Sequence, residues 1–335
     1  MMIKIGDYKI STPIFLAPMA GITDYPTRVI MNKFGVGLSF SEMINATYIS
    51  KNSKKSSERL IDFKDQQCNL FAVQLVGNDP ETLKIACKIA CDTGADIIDF
   101  NLGCPVKKVT NGYGGSALLK DIDLVKWLIE AIVEVANVPV TIKCRIGWDE
   151  HFLTSPIIVS FAEEIGISLV SIHARTRSQL FSGKPNWKFV NRIKKTVNIP
   201  IMINGDIINT KSAIKAMTES KCDGIMIGRG LMGKPWLIPE LAASVFGIAP
   251  KVEIVKDRWN VIKEHVDGIY HFYGSRLGNL KARKHIKWYL EPHNIPIRLK
   301  KEILNCSDTK ETFRKLDILA RNYDLKKERN NSCLQ

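Results

Sequence analysis

The sequence predicts a (β/α)8 TIM barrel carrying a small C-terminal all-helical domain, and three observations lead there. Eight short runs rich in β-branched residues alternate with helix-length segments over residues 1–245. Each run is apolar on successive rather than alternate residues, as in parallel strands covered by helices on their outer face and buried again inside. Beyond Phe246 the strand runs stop.

In chain order the runs are IFLAPM (14–19), GLSFSE (37–42), LFAVQLVG (70–77), DIIDFNLG (96–103), PVTIKCRIG (139–147), SLVSIHAR (168–175), IPIMINGD (199–206) and DGIMIGRG (223–230). Helix starts lie between them, at Asn78-Asp79-Pro80 for a helix to Thr93 and at Asn209 for one over Thr210 to Lys221. Eight such units match the ~250 residues of a typical barrel. An open doubly wound sheet would place GxGxxG after its first strand, whereas Ala17-Pro18-Met19-Ala20-Gly21-Ile22-Thr23-Asp24 stands here.

Gly247 to Pro250 reads as a linker, and the chain beyond it is helical, basic and aromatic. The expected organisation is a barrel over residues 1–245 and a helical domain over 251–325. The tail 326–335 has little to bury and is expected to be disordered. The net charge of +14 is uneven, since residues 251–335 hold 19 Lys+Arg against 11 Asp+Glu. A basic excess of this kind fits a polyanion or nucleic-acid binder, or simply a lysine-rich solvated surface.

The N-terminal MMIKIGDYKIS lacks the apolar segment of a signal peptide, and the apolar stretch from Pro156 to Ile172 is broken by Glu163 and Glu164. The expectation is a cytoplasmic protein with no membrane association, and no obligate protein partner is evident. Eight cysteines, at 68, 87, 91, 104, 144, 222, 306 and 333, show no CxxC spacing and are expected to be reduced. Cys87 and Cys91 share a helical face, which suits small core residues better than a metal site, and no metal is assigned.

In a barrel of this type the active site forms where the strands end. The seventh and eighth strands end in Asn204-Gly205-Asp206 and Gly228-Arg229-Gly230, where glycines let backbone N–H groups approach phosphate oxygens and an arginine adds charge. Two tight turns with an exposed arginine are the plainer alternative. Lys143 sits in an otherwise apolar strand and calls for an anion such as a reduced flavin, unless it snorkels to solvent. His173 suits a donor to phosphate or carbonyl, or a buried core histidine. Gln74 suits a heterocycle edge or a loop cap. In NLGCPVKKV, Gly103 and Pro105 hold Cys104 at a strand end, with Lys107 and Lys108 downstream.

APMAGITD, Gln74, NLGCPVKKV, GGSALL, VTIKCRIG, HARTR, NGDI and IGRG, in that order, resemble the tRNA-dihydrouridine synthases, bacterial B-type. The match spans Pro13 to about Leu237 and resumes in HFYGSRLGNLKARKHIKWYL. The resemblance implies an FMN-containing oxidoreductase that takes hydride from NADPH and delivers it to C6 of a uracil in tRNA, giving dihydrouridine. Carried over by motif, Pro18, Met19, Ala20, Gln74, Lys143, His173, Asn204, Gly205, Asp206, Gly228 and Arg229 would hold FMN, and Cys104 would protonate C5. A thiol near its reference pKa of ~8.5 is protonated at neutral pH and suits an acid better than a nucleophile.

On this reading Asn101 closes the fourth strand beneath the flavin and counts among the residues expected to meet the tRNA substrate. Lys107, Lys108, Arg145, Arg175, Arg177, Lys184 and the run from Lys51 to Arg59 would rim the mouth and meet tRNA, with Arg283 and Lys284 from the helical domain. Trp288 and Tyr289 fit a bundle core better than base stacking. The segment Thr110-Asn111-Gly112-Tyr113 is less basic than the family resemblance leads one to expect. A dihydroorotate or dihydropyrimidine dehydrogenase, a lyase forming a Schiff base at Lys143 and a non-catalytic RNA-binding module are the competing functions.

Overall fold

The computed structural model describes residues 2–51, 70–249 and 257–323. Pro250, Cys68, Cys333, the expected tail and all of the Lys51 to Arg59 run except Lys51 lie outside the described residues. An antiparallel hairpin of β1 (Ile3–Ile5) and β2 (Tyr8–Ile10) precedes the barrel. Next come β3 (Ile14–Leu16), α1 (Tyr25–Lys33), β4 (Leu38–Ser39), β5 (Ile44–Asn45), α2 (Ala46–Ser50), β6 (Ala72–Val76), α3 (Pro80–Asp92) and β7 (Ile97–Leu102). The chain continues through α4 (Lys107–Thr110), a 3₁₀ turn (Gly115–Lys120), α5 (Ile122–Val135), β8 (Val140–Gly147), α6 (Ser155–Glu164), β9 (Leu169–Thr176) and α7 (Trp187–Lys194). β10 (Ile201–Asn204), α8 (Thr210–Ser220), β11 (Gly224–Ile227) and α9 (Leu237–Phe246) complete the barrel.

Nine strands pair in the order β4-β3-β11-β10-β9-β8-β7-β6-β5, and every pairing is parallel. The second predicted strand is split: β4 pairs with β3, β5 pairs with β6, and a Phe40–Ala72 bridge lies between them. Eight staves therefore close a ring. The split has a local cause, because the Ser41 hydroxyl accepts the Gln74 N–H at 2.9 Å where a strand carbonyl would otherwise stand.

Alternation along each stave separates two cores. Ile98, Phe100 and Leu102 of β7, like Ile142 and Cys144 of β8, pack beneath the helices. Phe15, Leu38, Phe40, Met202 and Met226 face the barrel axis and form a second cluster with Ile3, Ile5 and Ile10 of the hairpin. That cluster includes Ala72, Ile97 and Leu169, the first residues of β6, β7 and β9, so the hairpin closes the N-terminal end of the ring. Polar inward residues are left to the other end.

The helical segment consists of α10 (Arg258–Leu290), α11 (Ile297–Leu304) and α12 (Thr309–Asn322). α10 is two arms meeting at Gly274, whose φ of 70° and ψ of 171° no helix contains. The arms fold back on each other: His265 Nδ1 lies 3.0 Å from the Tyr289 hydroxyl, and the Tyr270 hydroxyl donates to Asn279 Oδ1 at 3.0 Å. They dock on the loop before α1. Tyr273 donates to Asp24 Oδ2 at 3.0 Å, while Thr27 Oγ1 donates to Asp24 Oδ1 at 2.8 Å and lies 3.2 Å from His265 Nε2. Tyr289 is buried and packs 6.0 Å from Trp236, and Trp288 is packed against the same core, in keeping with the bundle-core reading of both aromatics. Among the described residues no helix is long and apolar enough to cross a membrane.

Candidate active site

The C-terminal ends of the staves open on one cavity of about 520 Å³. Its walls include Pro18, Met19 and Ala20 after β3, Met43 between β4 and β5, Gln74, Asn101, Cys104, Lys143, Arg145 and His173. Asn204, Gly205, Asp206, Gly228 and Arg229 complete the far side. Every residue that the motifs propose for a cofactor thus meets in one place, together with Cys104, Asn101 and Arg145.

Lys143 faces the cavity because its neighbours Ile142 and Cys144 face the helices. Its ammonium donates to Asn204 Oδ1 at 3.5 Å, a long hydrogen bond. Burial and then the charge of Arg145 push its pKa down to about 8, against the pull of Asp99. Asn204 is itself fixed by donating to the Met226 carbonyl at 2.7 Å. His173 is buried, and desolvation followed by the charges of Arg145, Lys143, Arg175 and Arg229 holds its pKa well below the usual imidazole range. It is a neutral ring at pH 7.

The turn after β10 brings backbone to the cavity in unusual conformations, with φ of 123° at Gly205 and 50° at Asp206. The Asp206 carboxylate is turned away to Arg175, whose Nη1 donates to Oδ1 at 3.0 Å and whose Nη2 pairs with Oδ2. After β11, a Cβ on Gly230 would stand 2.1 Å from the Ile207 carbonyl oxygen, so only glycine fits there. Arg229 is exposed, and its guanidinium lies 4.7 Å from the centre of the Phe181 ring, which also lines the cavity.

Cys104 is gripped on both sides. Asn101 Oδ1 accepts the N–H groups of Gly103 at 3.0 Å and Cys104 at 2.9 Å. The Cys104 carbonyl accepts the Ser116 hydroxyl at 2.8 Å and the Ser116 N–H at 3.1 Å. Gly115, at φ 60°, passes so close that a Cβ there would lie 2.8 Å from the Cys104 oxygen, which explains the Gly-Ser of GGSALL. Burial raises the thiol pKa, outweighing the opposite pull of the Val106 N–H, Lys143 and Arg145.

The residues proposed for RNA divide. Lys107, Lys108 and Lys184 are exposed. Arg177 is half-buried and stacks 4.4 Å from the centre of the Trp148 ring. Arg283 donates to the Cys306 carbonyl at 3.2 Å, and Lys284 is half-buried near Gly21, its pKa lowered by burial. Arg145 and Arg175 are 1% exposed. Arg145 donates to the carbonyls of Gly103, Thr176 and Leu180 at 2.9, 2.8 and 2.7 Å. These two arginines hold the loops of the site, because their strand positions point into the barrel rather than over its rim.

Asp99 escapes the sequence reading. Wholly buried, its Oδ2 accepts from Gln74 Nε2 at 2.6 Å and its Oδ1 from the Thr141 hydroxyl at 2.6 Å, and burial raises its pKa to about 6. The signal was an aspartate in the run IIDFN, two residues before Asn101 and therefore on the same inward face. Among the described residues no group of three or more His, Cys, Asp or Glu could hold a metal ion. Cys87 is kept protonated by its neighbour Cys91 and by burial.

Comparison with known proteins adds a pedigree to this geometry. The family described as Dihydrouridine synthase (Dus) matches residues 15–326. The chain is 41% identical over 289 residues to a "Probable tRNA-dihydrouridine synthase" of Rickettsia prowazekii (strain Madrid E), covering 86% of this chain and 88% of the relative. It is 40% identical over 289 residues to "tRNA-dihydrouridine synthase B" of Pasteurella multocida (strain Pm70), covering 86% of each. Among solved structures, an old yellow enzyme homologue from Zymomonas mobilis aligns with a TM-score of 0.54 at 15% identity, covering 77% of this chain and 95% of that one. Morphinone reductase aligns with a TM-score of 0.51 at 13% identity, covering 75% and 91%. At such identities these two speak for the barrel fold alone.

Proposed function

The chain belongs to the dihydrouridine synthase family, and on that premise we propose that it is a flavin-dependent oxidoreductase that reduces uridines of tRNA to 5,6-dihydrouridine. The observation that carries this reading is the meeting of a protonated thiol, Cys104, and an inward ammonium, Lys143, at one cavity walled by the glycine turns after β10 and β11.

The residues present fit FMN. An inward lysine whose hydrogen bond is only a long one to an amide leaves positive charge for the electron-rich edge of a flavin. Gly205, Gly228 and Gly230 let the turns after β10 and β11 pack closely against His173, Met19 and the Ile207 backbone at the proposed phosphate side, where their N–H groups would reach a phosphate, and Arg229 is exposed beside them. Asp206, its carboxylate paired to Arg175 and lying 3.6 Å from the Arg229 guanidinium, would meet the phosphate through the backbone of its turn. Pro18, Met19, Ala20, Gln74, His173 and Asn204 would complete the cradle. Bound there, FMN supplies hydride chemistry, with NADPH as the proposed reductant.

This chain's own residues do the rest. Cys104 keeps its proton through the neutral range and delivers it to C5 of the base as a general acid. Asn101 and Ser116 fix the backbone on either side of that thiol. Lys107, Lys108, Arg177, Lys184, Arg283 and Lys284 are the proposed contacts to tRNA, with Arg145 and Arg175 acting behind them by holding the loops. The domain assignment is then residues 1–245 for catalysis and the basic helical domain over 251–325 for grip on the nucleic acid, which helps meet the cost of unstacking a base.

The test is direct. The purified chain should be yellow with a flavin spectrum, and with NADPH it should convert uridine in tRNA to a product two mass units heavier. Cys104→Ala should keep flavin binding and oxidation of NADPH while losing base reduction. A colourless preparation, or activity on free uracil or orotate in place of tRNA, would defeat the reading.

A further inference from the structure

We infer that the Asp99 carboxylate is a positioning residue: it sets the direction of a side-chain amide relay, through Gln74 and Asn101, that holds the Cys104 loop in place. The inference deepens the assignment of Cys104 as proton donor and rests on it.

The relay arises from strand register. Gln74, Asp99 and Thr141 lie in one row across β6, β7 and β8, and Asn101 is paired with Lys143 in β8, two residues nearer the mouth. Asp99 Oδ2 accepts from Gln74 Nε2 at 2.6 Å, Gln74 Oε1 accepts from Asn101 Nδ2 at 2.7 Å, and Asn101 Oδ1 accepts the N–H groups of Gly103 and Cys104. An amide side chain is donor at one end and acceptor at the other, so a chain of amides has two possible polarities. An ionised carboxylate only accepts. Asp99 therefore turns the Gln74 amine toward itself, the Gln74 carbonyl toward Asn101, and the Asn101 carbonyl toward the cysteine loop.

The far end demands the same polarity, because two backbone N–H groups can only donate. With both amides turned over, the Asn101 amine would face two donors and the Gln74 carbonyl would face a carboxylate. Gln74 and Asp99 are wholly buried and Asn101 nearly so, leaving little water to repair a reversed link. The Thr141 hydroxyl donates to the other carboxylate oxygen and fixes the rotamer. Lys143 adds its charge nearby and favours the ionised form.

The test separates direction from charge. Asp99→Asn can keep an oxygen toward Gln74 by turning its amine to the Thr141 hydroxyl, so it conserves polarity and removes the charge. Asp99→Leu removes both. The first readout is alkylation of Cys104 by iodoacetamide, followed across pH by peptide mass spectrometry on the flavin-loaded protein. In Asp99→Leu the loosened loop should raise the alkylation rate about tenfold and lower the pH at which it sets in.

The second readout is single-turnover reduction of tRNA by pre-reduced enzyme, which should slow by ~10²-fold in the leucine variant. Asp99→Asn should stay within about threefold of the parent in both readouts. A leucine variant that matches the parent in the alkylation profile would overturn the relay. An asparagine variant as impaired as leucine would overturn direction in favour of charge. If Asp99→Leu does not fold, Gln74→Met cuts the relay one link later and must give the same alkylation change, with parent and variant compared in the flavin-free form because Gln74 is also placed in the cofactor cradle. A parent protein that lacks flavin or tRNA reduction would defeat the functional reading instead, while the alkylation comparison would still decide the relay.

Discussion

The guanidinium of Arg175 and the carboxylate of Asp206 form a two-pronged ion pair beneath the turn after β10, with the arginine side chain 1% exposed and the aspartate 39%. Arg175 also donates to the carbonyls of Ser182 and Gly183, so one side chain ties the turn after β10 to the loop after β9. Asp206→Ala would leave a buried cation with two carbonyls and the His173 ring as its remaining partners. Stability should fall by ~3 kcal/mol, read as a lower denaturant midpoint at unchanged slope. Flavin should be released at lower denaturant than in the parent, because the turn that the pair supports walls the side of the cavity proposed for the flavin phosphate.

Glycines at the same rim should not be equal. A Cβ on Gly228 would meet the flexible end of Met19 at 3.1 Å, whereas one on Gly230 would meet the Ile207 backbone oxygen at 2.1 Å. Gly228→Ala should weaken flavin binding without abolishing it: the Met19 end can yield, but Gly228 walls the proposed phosphate side with φ of −105° and ψ of −103°, which a side chain disfavours. Gly230→Ala must move main chain. It should lose flavin on gel filtration, and equal retention by the two variants would contradict the crowding.

Acid should loosen the joint between barrel and helices. His265 is buried between Thr27 and Tyr289, and burial depresses its pKa from 6.5 to about 4. Between those values the unfolded chain binds a proton that the folded one refuses, so stability falls as pH drops from 6.5 toward 4. The loss from this residue approaches ~3 kcal/mol at the lower end. His173 and His285, also depressed, add in the same direction, while Asp99, raised to about 6, opposes them. His265→Gln should flatten the fall in melting temperature between pH 6.5 and 4.5; an unchanged pH profile would remove His265 as its source.

Exposed and buried cations should behave differently toward RNA. Replacing Lys107 and Lys108 together by alanine should weaken tRNA binding and lower the slope of log K against log salt by roughly 1.4 to 1.8. Arg175→Lys should leave that slope within error and lower stability instead. Filter binding across a salt series separates the two.

The division between legible and hidden features reflects the range of the forces involved. Strand identity and the inward face of Gln74, Lys143, His173 and Asn204 were legible, because apolar neighbours on either side force a polar residue toward the axis. Arg145 and Arg175 obey the same parity, yet a positive charge near a strand end reads as a surface grip until the accepting carbonyls of distant loops are known. Asp99 was hidden for the converse reason: one acid inside an apolar run looks like noise unless its partners on β6 and β8 are in register. Gly274 sits in a continuous helical pattern, and the packing of His265 against Tyr289 and of Tyr270 against Asn279 shows that the helix doubles back there.

The N-terminal hairpin has a kinetic corollary. With Ile3, Ile5 and Ile10 stoppering one end of the ring among the described residues, the proposed reductant and nucleic acid would reach the cavity from the same side. On the proposed function, a nicotinamide and an extruded base that need the same vestibule would exclude one another, and the two half-reactions would alternate in time. Initial rates measured with both reactants varied should give parallel lines in double-reciprocal form, and excess reductant should compete with tRNA for the charged enzyme.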